Sequence, residues 1–120
     1  RRVLFRSTLV QAIARIVVDG EVAAFPKLII AEASNFPDLA KLYRMAVIER
    51  TLGLLASIVR RGVAAGEFRP TDPELAARLV IAPILFSSLW KTCFARHDKV
   101  PFDPAPLLEL HVDTLVKGLA

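Results

Sequence analysis

The chain has 120 residues, 54% of them hydrophobic and 23% charged, with a mean hydropathy of +0.47. That length supports one domain with a real core but not two. The apolar excess needs an outlet, and the usual ones are a membrane, a partner or a deep pocket. A membrane span is not expected, because the longest apolar run, Leu79 to Phe86, is far short of the roughly 18–20 residues a span requires, and Arg78 and Lys91 bracket the wider apolar region. The lone Cys93 excludes an intrachain disulfide and a cysteine-rich metal site, and it suits a reducing cytoplasm.

The formal net charge is +4, from 16 Lys+Arg against 12 Asp+Glu. Three of those positive charges lie in Arg1-Arg-Val-Leu-Phe-Arg-Ser7. This heptapeptide can be encoded codon for codon by the end of a common sequencing adapter. It is read here as adapter-derived and left outside fold reasoning, as an expression scar would be, which makes residues 8–120 the domain proper. Without Arg1, Arg2 and Arg6, 13 basic residues of the 16 remain against 12 acidic ones, a net charge of +1. The pI of 9.7 therefore does not point to a nucleic-acid surface.

Sustained apolar/polar alternation bounded by hairpin turns is missing, whereas helical spacing recurs, so the chain reads as all-α with about five helices in a bundle. The first is expected from Thr8 to Val18, with Leu9, Ala12, Ile13, Ile16 and Val17 as its stripe and Asp19-Gly20 as its stop. The second is expected from Val22 to Ala33, with Pro26 in the first turn, where a missing N–H costs nothing.

The third is long, from Pro37 to Ala65. Pro37 suits the first helical position and Asp38 the positive helix end. Leu39, Leu42, Tyr43 and Ala46 start its apolar face, and Leu52, Leu55, Ile58 and Val59 continue it. Gly66 is the expected C-terminal cap, after Arg60 and Arg61, which complement the helix dipole.

The fourth opens on Thr71-Asp-Pro-Glu74, which offers a capping box with a Pro near the start, and runs to about Phe94. Its middle, Leu79-Val-Ile-Ala-Pro-Ile-Leu-Phe86, is apolar on every side. Such a helix must be covered on every side, which in a small domain means one side on the core and the other on a second subunit. Pro83 should kink it. The fifth begins at Asp103-Pro104, the same device, and runs to about Lys117 with Leu108, Val112, Leu115 and Leu119 as its stripe.

Catalysis has little support. Ser87-Ser88 lies inside a helix with no Gly-x-Ser-x-Gly elbow. Cys93 and His97 are four apart, but at a fraying helix end. His111 and Asp113 point to different faces and make a poor metal pair.

Three segments carry a family resemblance. The first is the corner Leu28-Ile-Ile-Ala-Glu-Ala-Ser-Asn-Phe-Pro-Asp-Leu-Ala-Lys-Leu-Tyr43. The second is Gly66-Glu-Phe-Arg-Pro-Thr-Asp-Pro-Glu-Leu-Ala-Ala77. The third is the closing pair of apolar helices. In this order they resemble the C-terminal effector-binding and dimerisation domain of TetR/AcrR-type transcriptional regulators.

The resemblance implies a helix-turn-helix domain before this region, which reads operator DNA as a dimer. Nothing before Thr8 matches such a domain. It also implies a homodimer in which the last two helices of each subunit form a four-helix bundle. The residues expected at that interface are Leu79, Val80, Pro83, Ile84, Leu108, Val112 and Leu115. No cofactor, metal or enzymatic activity is expected.

Effector pockets are mostly apolar with a few placed polar groups. Phe25, Leu28, Ile29, Phe36, Tyr43, Val47, Phe86 and Trp90 are the expected walls, against the plainer alternative that the aromatics only fill the core. Glu32 is either a contact for a cationic or hydrogen-bonding ligand or a buried acid paired with Lys27 or Arg44. Two other readings stay open: a helical protein-interaction module without a pocket, and a small helical lipid carrier or enzyme.

Overall fold

The computed structural model describes residues 4–19, 35 and 37–120. Helix α1 spans Leu4–Asp19, α2 Pro37–Tyr43, α3 Glu49–Ala64, α4 Pro73–Leu89 and α5 Pro104–Leu119. A wide π turn at Arg44–Ile48 joins α2 to α3. A second at Trp90–Phe94 prolongs α4 and passes into a 3₁₀ turn at Ala95–His97. Among the described residues there is no strand, so the all-α expectation holds. The helix expected over 22–33 lies outside the described residues.

Helix α1 begins at Leu4 rather than at the expected Thr8, so residues 4–7, which the sequence reading sets outside the fold, are part of its first turns. The reason lies outside α1. The first-turn amides of a helix have no partner within it. Here the Glu67 carboxylate accepts from the Phe5 and Arg6 N–H groups, the first at 3.2 Å. A negative charge at this end also complements the helix dipole. Leu9 and Ile13 are the buried ridge of α1, with Phe5, Ala12 and Ile16 packed beside it.

The long third helix of the sequence is present but changes pitch within its length. The Glu49 N–H bonds to the Arg44 carbonyl, one residue further back than in an α-helix. From Tyr43 to Leu55 a regular helix would rotate about 120° out of phase. The wider turn reduces that offset, and both side chains are buried, at 6% and 0% exposure. The register follows Tyr43 and Val47, so Leu42 and Ala46, expected on the apolar face, point outward.

Helix α3 ends as its sequence predicts. Gly66 adopts φ +74°, a conformation that suits glycine. Its N–H bonds to the Val63 carbonyl at 3.0 Å, and the Glu67 N–H bonds to the Gly62 carbonyl at 2.9 Å. This pair of bonds is the Schellman arrangement, which satisfies the last carbonyls of the helix.

At the start of α4 the cap is Asp72, not Thr71. The Asp72 carboxylate accepts from the Glu74 N–H at 2.9 Å and the Leu75 N–H at 3.3 Å, with Pro73 as the first helical residue. The expected capping box does not close, because the Glu74 side chain turns to Arg60 at 3.1 Å. The Thr71 hydroxyl oxygen is buried without a hydrogen-bond partner. Asp103 caps α5 in the same way, accepting from the Ala105 N–H at 3.1 Å.

The core is built from Leu9 and Ile13 of α1, Leu55, Ala56, Ile58 and Val59 of α3, Phe68, five residues of α4 from Ala76 to Ile84, and Leu119 of α5. Leu9, Leu55, Val59 and Val80 are fully buried, each contributing about 1.5–3 kcal/mol through apolar burial. Leu108, Val112 and Leu115 of α5 pack on this core from outside, as the predicted stripe requires.

Candidate functional site

Helix α4 separates two apolar faces. Its inner face carries Ala76, Ala77, Val80, Ile81 and Ile84, all buried. Its outer face carries Leu75, Leu79 and Phe86 at 60%, 65% and 53% exposure, with Ala82 between them. These four follow an i, i+4, i+7, i+11 spacing, so they lie in one line along the helix. Large apolar side chains in an exposed line mark a contact surface rather than ordinary surface scatter.

This placement divides the residues expected at a subunit interface. Leu79 and the half-buried Pro83 are away from the core, whereas Val80 and Ile84 sit inside the protomer at 0% and 3% exposure. Leu108, Val112 and Leu115 are half-buried against the same core. The exposed Leu75 and Ala82 of α4 and Leu110 of α5, the last at 62% exposure, are not among the residues expected at that interface.

Two hydrogen bonds steady α4 around Pro83, through which the helix continues. The Ser87 hydroxyl donates to the Pro83 carbonyl at 2.8 Å. His111 Nε2 of α5 lies 2.9 Å from the Val80 carbonyl. A carbonyl only accepts, so this nitrogen carries the proton and the bond pins α5 to α4.

The aromatic residues at the end of α4 form their own cluster. The Trp90 ring lies 5.9 Å from Phe86, 5.3 Å from Phe94 and 6.2 Å from Phe102 between centroids. Its Nε1–H donates to Asp98 at 2.8 Å, which satisfies the one polar group of a partly buried indole. Phe86 and Trp90, both expected as pocket walls, thus belong to a stack at the outer end of the helix.

Of the other expected pocket residues, Tyr43 is buried and Val47 half-buried. Phe25, Leu28, Ile29, Glu32 and Phe36 lie outside the described residues. Arg44, one of the partners considered for Glu32, pairs with Glu49 at 3.4 Å on the surface. An apolar groove of about 670 Å³ runs between α1 and α5, walled by Ile13 and Val17 on one side and Leu108 and Val112 on the other.

Among the described residues no three His, Cys, Asp or Glu side chains converge as a metal site would need. His97 is exposed, with its Nε2 3.3 Å from Arg96 Nε. No helix among the described residues is long and apolar enough to cross a membrane.

A family model for the C-terminal domain of AefR-like transcriptional repressors, one of the TetR-type C-terminal domains, matches residues 7–114. No match was found among curated proteins or among solved structures. The matched stretch runs from the first turns of α1 into the last turns of α5, and so takes in both faces of α4. The family is regulatory rather than enzymatic. The chain therefore belongs to the TetR-type C-terminal domains, the effector-binding and dimerisation part of a transcription regulator.

Proposed function

We propose that this domain forms a homodimer through α4 and α5 and serves as the sensing half of a TetR/AcrR-type repressor. The observation that carries the reading is the line Leu75, Leu79, Ala82 and Phe86 on the outer face of α4. A second copy of the chain covers this line, and α4 and α5 of both subunits form a four-helix bundle. Leu110 adds an apolar contact from α5.

The effector is a small apolar or amphipathic molecule bound near the 28–43 corner. Phe25, Leu28, Ile29 and Phe36 supply apolar walls, Tyr43 and Val47 continue them, and Glu32 supplies the polar contact. The buried Tyr43 beside a change of helical pitch supports this placement, because such turns recur at functional sites.

Binding shifts the population between two arrangements of the helices that carry the DNA-reading heads. Their separation then no longer matches two operator half-sites. Operator DNA is contacted only through the helix-turn-helix domain of the whole protein, which acts in the cytoplasm.

Sedimentation equilibrium of the isolated domain tests the dimer. The expected result is a dimer at micromolar concentration that shows no sequence-specific DNA binding. A monomer under those conditions overturns the reading of α4.

A further inference from the structure

The outer apolar line of α4 continues beyond the end of the helix. Phe86, its last member, stacks on the Trp90 ring, and Trp90 leans in turn on Phe94, with centroids 5.9 and 5.3 Å apart. In a regular helix a residue four places on lies about 40° past a full turn, so a line stepped by four drifts round the helix. Between Trp90 and Phe94 that drift is reduced. The Ala95 N–H bonds to the Trp90 carbonyl, five residues back, and the wider turn rotates each residue less. Phe94 therefore stays in line with Trp90, and it is as exposed as Phe86, at 53%. The loop before α5 backs this ladder: Phe102 meets Trp90 edge-on at 6.2 Å, and Asp98 accepts the indole N–H at 2.8 Å.

We infer that the subunit contact runs past α4 onto this ladder, so that a second copy of the chain covers Phe86, Trp90 and Phe94. The inference rests on the dimer reading of α4 and extends it to a segment beyond the helix. From Leu75 to Phe86 the line measures only about 16 Å, which is short for a stable interface of about 20–30 residues a side. With the ladder it reaches about 28 Å. A two-fold contact is self-complementary, so an apolar line on one copy meets the same line on the other. Aromatic rings are enriched at the centre of such contacts and carry much of their energy. The one polar group of the ladder, the Trp90 N–H, is already satisfied by Asp98, so covering the rings leaves no donor unpaired. Phe86 and Trp90 then act as subunit contacts rather than as walls of an effector pocket.

Trp90 is the only tryptophan of the chain, so its fluorescence reports on this place and no other. Acrylamide quenching of the wild-type domain and of Leu79→Glu, with sedimentation of the same samples, tests the inference. Trp90 is expected to be shielded in the wild-type dimer and to lose that shielding in the Leu79→Glu monomer. Phe94→Ser is expected to weaken the dimer at least about tenfold, with circular dichroism showing that the protomer keeps its helices. Should Phe94→Ser lose helix, the quenching comparison, which leaves the ladder unaltered, decides alone. A dimer in which acrylamide reaches Trp90 as readily as in the monomer, or a folded Phe94→Ser variant that dimerises as tightly as the wild type, overturns the inference and leaves the dimer reading of α4 standing. A wild-type domain that is monomeric at micromolar concentration, or a Leu79→Glu variant that stays dimeric, overturns the dimer reading itself and the inference with it.

Discussion

The Phe68 ring occupies the space that a Cβ on Gly62 would need. Gly62 sits in the last turn of α3, and its carbonyl accepts from the N–H groups of both Glu67 and Phe68. The chain thus folds back over its own helix end and lays Phe68 into the core, where it is 5% exposed.

Gly62→Ala is therefore expected to destabilise the domain, although alanine is the better helix former. The overlap with Phe68 costs about 1–3 kcal/mol, as overpacking does elsewhere. Urea denaturation should show the loss, and Gly62→Ala combined with Phe68→Leu should recover part of it. An unchanged midpoint in the single variant would show that the ring moves aside freely.

The neighbouring residues Thr71 and Asp72 are expected to respond in opposite ways. Asp72→Ala removes the side-chain acceptor for two amides and should cost about 1 kcal/mol. Thr71→Val removes a buried hydroxyl that has no hydrogen-bond partner, so it should be neutral or stabilising. The reverse order in thermal denaturation would assign the cap to Thr71 instead.

Leu79 and Val80 are adjacent in sequence, but Leu79 is exposed and Val80 is buried in the core. Leu79→Glu should dissociate the proposed dimer while leaving the helical content of the protomer intact, read by sedimentation and circular dichroism. Val80→Ala opens a void in the core, where Val80 is fully buried, and should lower the denaturation midpoint. Loss of fold in Leu79→Glu would place that side chain inside the protomer.

In the full-length regulator, Glu32→Ala is expected to weaken the response to effector and leave operator binding intact, as measured by a DNA-mobility assay with and without effector. Lost folding would make the acid a structural one.

The helices with strong punctuation were readable from residues alone. Asp103-Pro104 and Gly66 terminate their elements as their side-chain chemistry demands, and the Leu108, Val112, Leu115, Leu119 stripe lies against the core. The two-sided character of α4 was also readable, but its phase was not. In an all-apolar stretch, spacing gives no reason to prefer Leu79 over Val80, and only packing into the core cluster decides. Sequence periodicity missed the pitch change at Arg44–Ile48 as well, because Leu42 and Ala46 fit a regular helix as well as Tyr43 and Val47 do.

The link after α3 fastens both extremities of the described chain. Glu67 holds the first amides of α1, while the Arg69 N–H donates to the Leu119 carbonyl at 2.7 Å and its Nε–H to the Gly118 carbonyl at 2.5 Å. Helix ends normally fray independently and exchange their amide hydrogens early. Here the opening of α1 at its start and of α5 at its end is coupled through two residues of one short loop. Protection against deuterium exchange should fall at both places together when Glu67 or Arg69 is replaced by alanine.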